Sequence, residues 1–92
     1  MKIYSKTGEE LLDITGDTLE HVDIRGAKLS EASLAGAKMR GIILIGADLS
    51  NADLSNADLR HANLWGAYIV GADLTGADVS DANMDGTYGA KL

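Results

Sequence analysis

The sequence predicts an all-β solenoid, and three observations carry that prediction. Every fifth residue from Ile14 to Met84 is a branched aliphatic or a methionine, without a break. The residue two places before each of these is alanine from Ala27 to Ala82, with Ile42 the one exception. The residue two places after is usually glycine or asparagine, as at Gly26, Gly46, Asn51, Asn56, Gly66 and Gly86. A period of five matches neither the helical repeat of about 3.6 nor the simple alternation of a single strand. It fits a chain laid out in short extended faces, each sending two side chains inward and ending in a corner.

The first element is a hairpin over residues 1–11 that runs into the array. Lys2, Ile3 and Tyr4 make one strand, Lys6, Thr7 and Gly8 the turn, and Leu11, Leu12, Asp13 and Ile14 the returning strand. In that place the hairpin is expected to cap the array, covering apolar ends and backbone groups that an open edge would expose. Asp17 occupies an inward position. A carboxylate there is costly unless paired or exposed, so the first coil is expected to be irregular.

The array itself occupies residues 12–86 as fifteen consecutive fives, from LDITG to ANMDG. Its expected core includes Leu34, Leu44, Leu49, Leu54, Leu59, Leu64, Ile69 and Leu74. Each such side chain contributes about 1.5–3 kcal/mol on burial. Coils stacked at the strand spacing of about 4.8 Å leave a narrow bore. Large side chains at both inward positions would overfill it, which explains alanine beside leucine. Glycine and asparagine at the corners tolerate the positive φ of tight turns. Residues 87–92 abandon the pattern, with Gly89 where the central aliphatic belongs. Val79 and Met84 are then left near an open edge, to be covered by Tyr88 as a lid or by a second copy about a twofold axis.

Ninety-two residues suit a single domain. The net charge of −6 disfavours direct binding to nucleic acid or to anionic membranes. There is no cysteine, hence no internal disulfide or thiolate metal site. The amino-terminal MKIYSKTGEELLD lacks the apolar run of a secretory signal, and no stretch is long enough to span a bilayer, so a cytoplasmic location is expected. The glycines do not have the spacing of a phosphate-binding loop. Nor do serine, histidine and acid converge on an evident cleft, so the chain is not expected to be an enzyme or to hold a cofactor.

The runs ADLSNADLSNADLRHANL and ADLTGADVSDANM resemble the pentapeptide-repeat family, and the resemblance extends over residues 12–86. It implies a right-handed, quadrilateral β-helix with four fives to a coil, hence about four coils. Residues twenty apart should then stack in columns. His21, Gly41, His61 and Asp81 share one column, with the histidines two coils apart, about 9–10 Å, too far to share a metal ion. In another column Glu20 is expected to pair with Arg40, while Arg40 and Arg60 repel unless Asp58 or Asp78 intervenes. Asp48, Asp53, Asp58, Asp73 and Asp78, with Asn63 and Asn83, occupy the second position of their repeats, where local bonds to turn backbone are their expected work.

What remains is apolar. Ile43, Ile45, Trp65, Tyr68 and Val70 stand outward where the pattern elsewhere prefers polar residues, and Ile45 and Trp65 are twenty apart. These five are the candidate interaction surface of a non-catalytic protein-interaction scaffold, taking a protein partner or a second copy of the chain there or at the carboxy-terminal end. The alternative is an acidic mimic of DNA that regulates or protects gyrase or another topoisomerase, as quinolone-resistance members of the family are understood to do. A height of about 20 Å is short for that role. Lysines and arginines also interrupt the acidic face.

Overall fold

The computed structural model describes residues 1–89, which are β in character without a helix. The chain opens with strand β1 (Lys2–Tyr4) and strand β2 (Glu10–Asp13), paired antiparallel. Lys2 faces Asp13, Ile3 faces Leu12 and Tyr4 faces Glu10, with an irregularity after Ile3. Ser5 closes the loop: its Oγ accepts from Thr7 N–H (3.3 Å) and Glu9 N–H (3.1 Å), while Gly8 N–H donates to Ser5 O (2.9 Å). The hairpin read from the sequence is therefore present, its second strand starting and ending one residue earlier than expected.

From Asp23 onward, single parallel bridges join residues twenty apart: Asp23 to Ile43, Asp48 to Tyr68, Asp53 to Asp73, and on to Tyr68 with Tyr88. Each bridge residue points outward between two inward ones, as the period-two pleat requires. Leu44, Leu49, Leu54, Leu59 and Leu64 are sealed from solvent together with Ala47, Ala52, Ala57, Ala62 and Ala67. Leu34 and Ile69 are also buried, whereas Leu74, Val79 and Met84 pack against this core half-exposed. Ile42 is accommodated in the alanine series and is likewise buried.

The backbone of one repeat accounts for every N–H it has. In residues 52–56, Asp53 N–H donates back to Ala32 O (2.9 Å), while Leu54 and Asn56 N–H donate forward to Asp73 O and Thr75 O (both 2.8 Å). Ala52 N–H closes the preceding corner on Leu49 O (3.0 Å). Only Ser55 N–H is left over, and the Asp53 carboxylate takes it (3.0 Å). The aspartate of the repeat is thus a structural acceptor for the one donor the ladder omits.

Corners recur every five residues with positive φ, at Gly46 (66°) and at non-glycine positions such as Asn51 (58°) and His61 (60°). A methyl group on Gly46 would meet nothing within 4 Å, so glycine serves the backbone alone there. On Gly71 the same methyl would overlap Asn51 Oδ1, whose side chain leans across from one coil below. An asparagine corner therefore favours a glycine stacked on it.

The start of the array is rewired. Regular residues donate to the carbonyl twenty-one positions earlier, which for Ser33 would be Leu12, but Leu12 is engaged with Ile3 in the hairpin. Ser33 N–H donates instead to Tyr4 O (2.8 Å), Lys6 N–H donates to Glu31 O (2.8 Å), and Lys6 Nζ pairs with Glu31 (3.4 Å). Ile3 joins the core cluster from this side. Asp17 lies exposed before the first bridge, which relieves the cost its inward position would carry.

Candidate functional site

Two neighbouring faces carry the outward apolar residues. One holds residues 23–25, 43–45, 63–65 and 83–85; the next, around the corners Gly26, Gly46, Gly66 and Gly86, holds 28–30, 48–50 and 68–70. Ile43 and Ile45 are half-buried on the first face. Trp65, on the same face, is 55% exposed, and Tyr68 and Val70 on the second are 47% and 54% exposed. Register places Ile45 and Trp65 in one column, since Gly26 N–H donates to Ile45 O (2.8 Å) and Gly46 N–H to Trp65 O (2.9 Å).

Tyr88 belongs with these residues. Its ring stacks on Tyr68 with centroids 4.6 Å apart and planes 13° from parallel. Its N–H donates to Ala67 O and its carbonyl accepts from Ile69 N–H, both at 2.9 Å, so regular pairing continues two residues past Gly86. Of the two covers weighed for the open end, a Tyr88 lid or a second copy, the lid is not formed: stacking on Tyr68 holds the Tyr88 ring on the outer face. The spacing of twenty from Tyr68 was the signal that could have placed it. Residues 90–92 of the expected irregular tail lie outside the described residues.

Where Ile43 and Tyr68 replace Asp or Asn, the local acceptor is lost. Among the described residues no bond is made by Ile45 N–H or Val70 N–H, whereas Trp65 N–H still finds Asn63 Oδ1 (3.1 Å). Two shallow concavities flank the second face. One, about 890 Å³, sits at the carboxy-terminal rim against Ile69, Val70, Leu74, Ala77, Val79 and Gly89. The other, about 550 Å³, lies between Lys28, Ser30, Asp48, Ser50 and Tyr68 over Gly26 and Gly46.

The charged columns serve structure first. Asp48, Asp53, Asp73 and Asp78 each accept from the N–H two residues on, at 2.9–3.0 Å. Bonds to that residue's hydroxyl and N–H hold these carboxyls below the usual range. Among the described residues no ion pair joins Glu20 to Arg40, contrary to expectation. Arg60 lies against Asp58 of its own repeat, with Nε to Oδ1 at 2.9 Å and Nη2 to Oδ2 at 2.8 Å, a shorter reach than the next coil. His61 Nε2 is 3.8 Å from Asp81 Oδ2, and among the described residues no cluster of three metal-ligating side chains forms. No described helix is long and apolar enough to cross a membrane.

Asp58 offers a direct pH test. Donation from the Arg60 side chain, then from its N–H, brings the Asp58 carboxyl down to about 2. A folded value depressed below the ordinary value of about 3.9 adds stability that is complete above about pH 4 and lost as pH falls through 2. The melting temperature of Asp58→Asn should therefore fall less than that of the wild type between pH 4 and pH 2. Superimposable profiles of the two proteins would remove Asp58 from the acid transition.

Together, fold and surface define a β-solenoid repeat protein. A family model described as "Pentapeptide repeats (8 copies)" matches residues 18–51 and 52–88. The chain belongs to the pentapeptide-repeat family, whose members form right-handed quadrilateral β-helices. It is similar to a pentapeptide repeat protein from the Arabidopsis thaliana thylakoid lumen, solved by crystallography, with 33% identity and a TM-score of 0.70 over 75% of this chain and 46% of that one. Rfr23 from the cyanobacterium Cyanothece 51142 is 33% identical over 74% of this chain and 50% of its own, with a TM-score of 0.48. HetL, a protein involved in heterocyst differentiation regulation from the cyanobacterium Nostoc sp. strain PCC 7120, is 35% identical over 76% of this chain and 39% of its own, with a TM-score of 0.49. The chain thus spans half or less of the length of these solved structures. None of the curated proteins compared with the chain matches it.

Proposed function

We propose that the chain is a non-catalytic protein-interaction scaffold: nearly four coils of a right-handed quadrilateral β-helix, capped at the amino end by the β1–β2 hairpin, in a cytoplasmic setting. The observation that carries this reading is the cluster of Trp65, Tyr68, Val70 and Tyr88, each about half exposed on two adjacent faces. Large aromatics held on a rigid surface are the natural anchors of a protein contact, because little side-chain freedom is lost when they are covered. Ile43 and Ile45 extend the apolar strip beneath Trp65.

A second copy of the chain is one partner this surface suits, and the carboxy-terminal rim at Leu74, Val79 and Met84 offers a further apolar contact. Against the duplex-mimic alternative stands the charge pattern. Arg25 and Arg60 neutralise Asp23 and Asp58 within their own repeats, breaking any regular ladder of negative charge.

The test uses the natural cell extract and the isolated protein. Wild type and Trp65→Ser are compared as affinity baits and by mass in solution. A partner, or a dimer, present with wild type and lost with Trp65→Ser is the expected result. Identical captured proteins and identical mass for both would sink the assignment of Trp65 to the contact.

A further inference from the structure

The stacked tyrosines leave one ring face unused. Tyr68 and Tyr88 are bridged partners one coil apart, and their rings stack along the coil direction. Tyr88 covers one face of the Tyr68 ring. The opposite face looks back along the column toward Asp48 and Lys28, where the groove of about 550 Å³ lies. Asp48 leaves that level of the column empty, because its side chain turns aside to Ser50: Oδ1 accepts from Ser50 N–H (3.0 Å) and Ser50 Oγ–H (2.6 Å). Lys28 and Tyr68 are two coils apart, about 10 Å at the strand spacing, so a planar group fits between their levels.

Chemistry narrows what that group is. One wall is an aromatic face, which attracts cations through its quadrupole. The floor is a carboxylate whose Oδ2 has no hydrogen-bond partner among the described residues, while Ser50 holds Asp48 in the ionised form by donating to it. Ser30 and Ser50 line the sides, and Lys28 is the one positive charge in the groove. A phenyl ring would satisfy the wall and waste the floor; an ammonium would satisfy the floor without stacking. A guanidinium is planar, charged and able to do both. The overall charge of −6 favours approach of a cationic segment.

We propose that this slot receives the guanidinium of an arginine side chain on a partner protein, stacked on the free face of Tyr68 and paired with Asp48 Oδ2. The inference rests on the protein-interaction reading and makes the column Lys28, Asp48, Tyr68, Tyr88 its specificity element, with Lys28 working against the cation.

The probe is a capped tripeptide, acetyl-Gly-Arg-Gly-amide, titrated into the isotope-labelled protein and followed by amide chemical shifts, with lysine, citrulline and phenylalanine analogues in parallel. Shifts confined to Gly46, Asp48, Ser50 and Tyr68, with arginine the tightest of the four, are expected. Tyr68→Ala and Asp48→Asn should each weaken binding about threefold or more, and Lys28→Ala should tighten it. Both weakening variants keep the fold: asparagine already makes the same turn bond at Asn63 and Asn83, and the tyrosine position holds serine at Ser33. Equal shifts at Asp53, Asp58, Asp73 and Asp78 would show general charge attraction and overturn the slot, as would indifference to Tyr68→Ala or equal binding of the phenylalanine peptide. If the arginine peptide fails while a captured partner still depends on Trp65, the slot falls and the scaffold reading stands.

Discussion

Replacing Leu54 by alanine is expected to lower the unfolding free energy by about 2–5 kcal/mol. Leu54 has no solvent exposure, and its column neighbours are the buried Leu34 and the half-buried Leu74. Part of the loss is transfer free energy; the rest depends on whether the cavity can close. Closure is resisted here, because the backbone at this level is held from both sides, by Asp53 N–H to Ala32 O (2.9 Å) and Leu54 N–H to Asp73 O (2.8 Å). The upper part of the range is therefore expected. Leu74→Ala, near the rim, should cost distinctly less, since water already reaches part of that side chain. Urea unfolding followed by Trp65 fluorescence measures both. Equal losses for the two variants would contradict the difference in their burial.

Enlarging the opposite member of the pair should also destabilise. Ala57→Leu is expected to cost about 1–3 kcal/mol, by forcing side chains off their preferred rotamers in a filled bore. Ala57 is sealed, its carbonyl is tied to the next coil through Asp78 N–H (2.9 Å) and its N–H closes the preceding corner on Leu54 O (3.1 Å), so its backbone cannot retreat. Ile42 shows that one larger residue can be accommodated in the alanine series, in a column with Val22 and Ala62. The double variant Leu54→Ala with Ala57→Leu restores volume close to where it was removed, and should lose less than the sum of the single changes. Strict additivity in the same urea experiment would mean that the two side chains do not share space.

The interior was legible because one physical rule, small beside large at fixed spacing, repeats from Ala27 to Ala82 with Ile42 its one exception. The hairpin was legible in outline, from Ile3 and Leu12 flanking a glycine-containing turn. What the sequence did not reveal was how Tyr4, Ser5 and Lys6 take over contacts that Leu12 would have made, since that depends on a choice between two competing backbone partners. The patch at Trp65, Tyr68 and Val70 stood out as disobedience to the repeat, yet Tyr88 was read as part of the tail because Gly89 breaks the pattern beside it. Pairing by backbone runs four residues past Met84, the last of the apolar series. Among the described residues Glu20 and Arg40 form no ion pair, while Arg60 of the same column is taken by Asp58, two residues away in its own repeat, a local partner that the column argument did not weigh.

A repeat that keeps aspartate or asparagine at its second position satisfies its own surplus donor, as Asp53 does for Ser55 and Asn83 for Asp85. Such a position is consequently built within its own repeat. A residue in the middle of a face can be exchanged in one five while the bore and the ladder of the neighbouring fives stay as they are, whereas a corner such as Asn51 is tied to the Gly71 stacked on it. Such a chain can acquire a recognition feature by single substitutions, accumulating it letter by letter down a column, while the architecture beneath goes on unaltered.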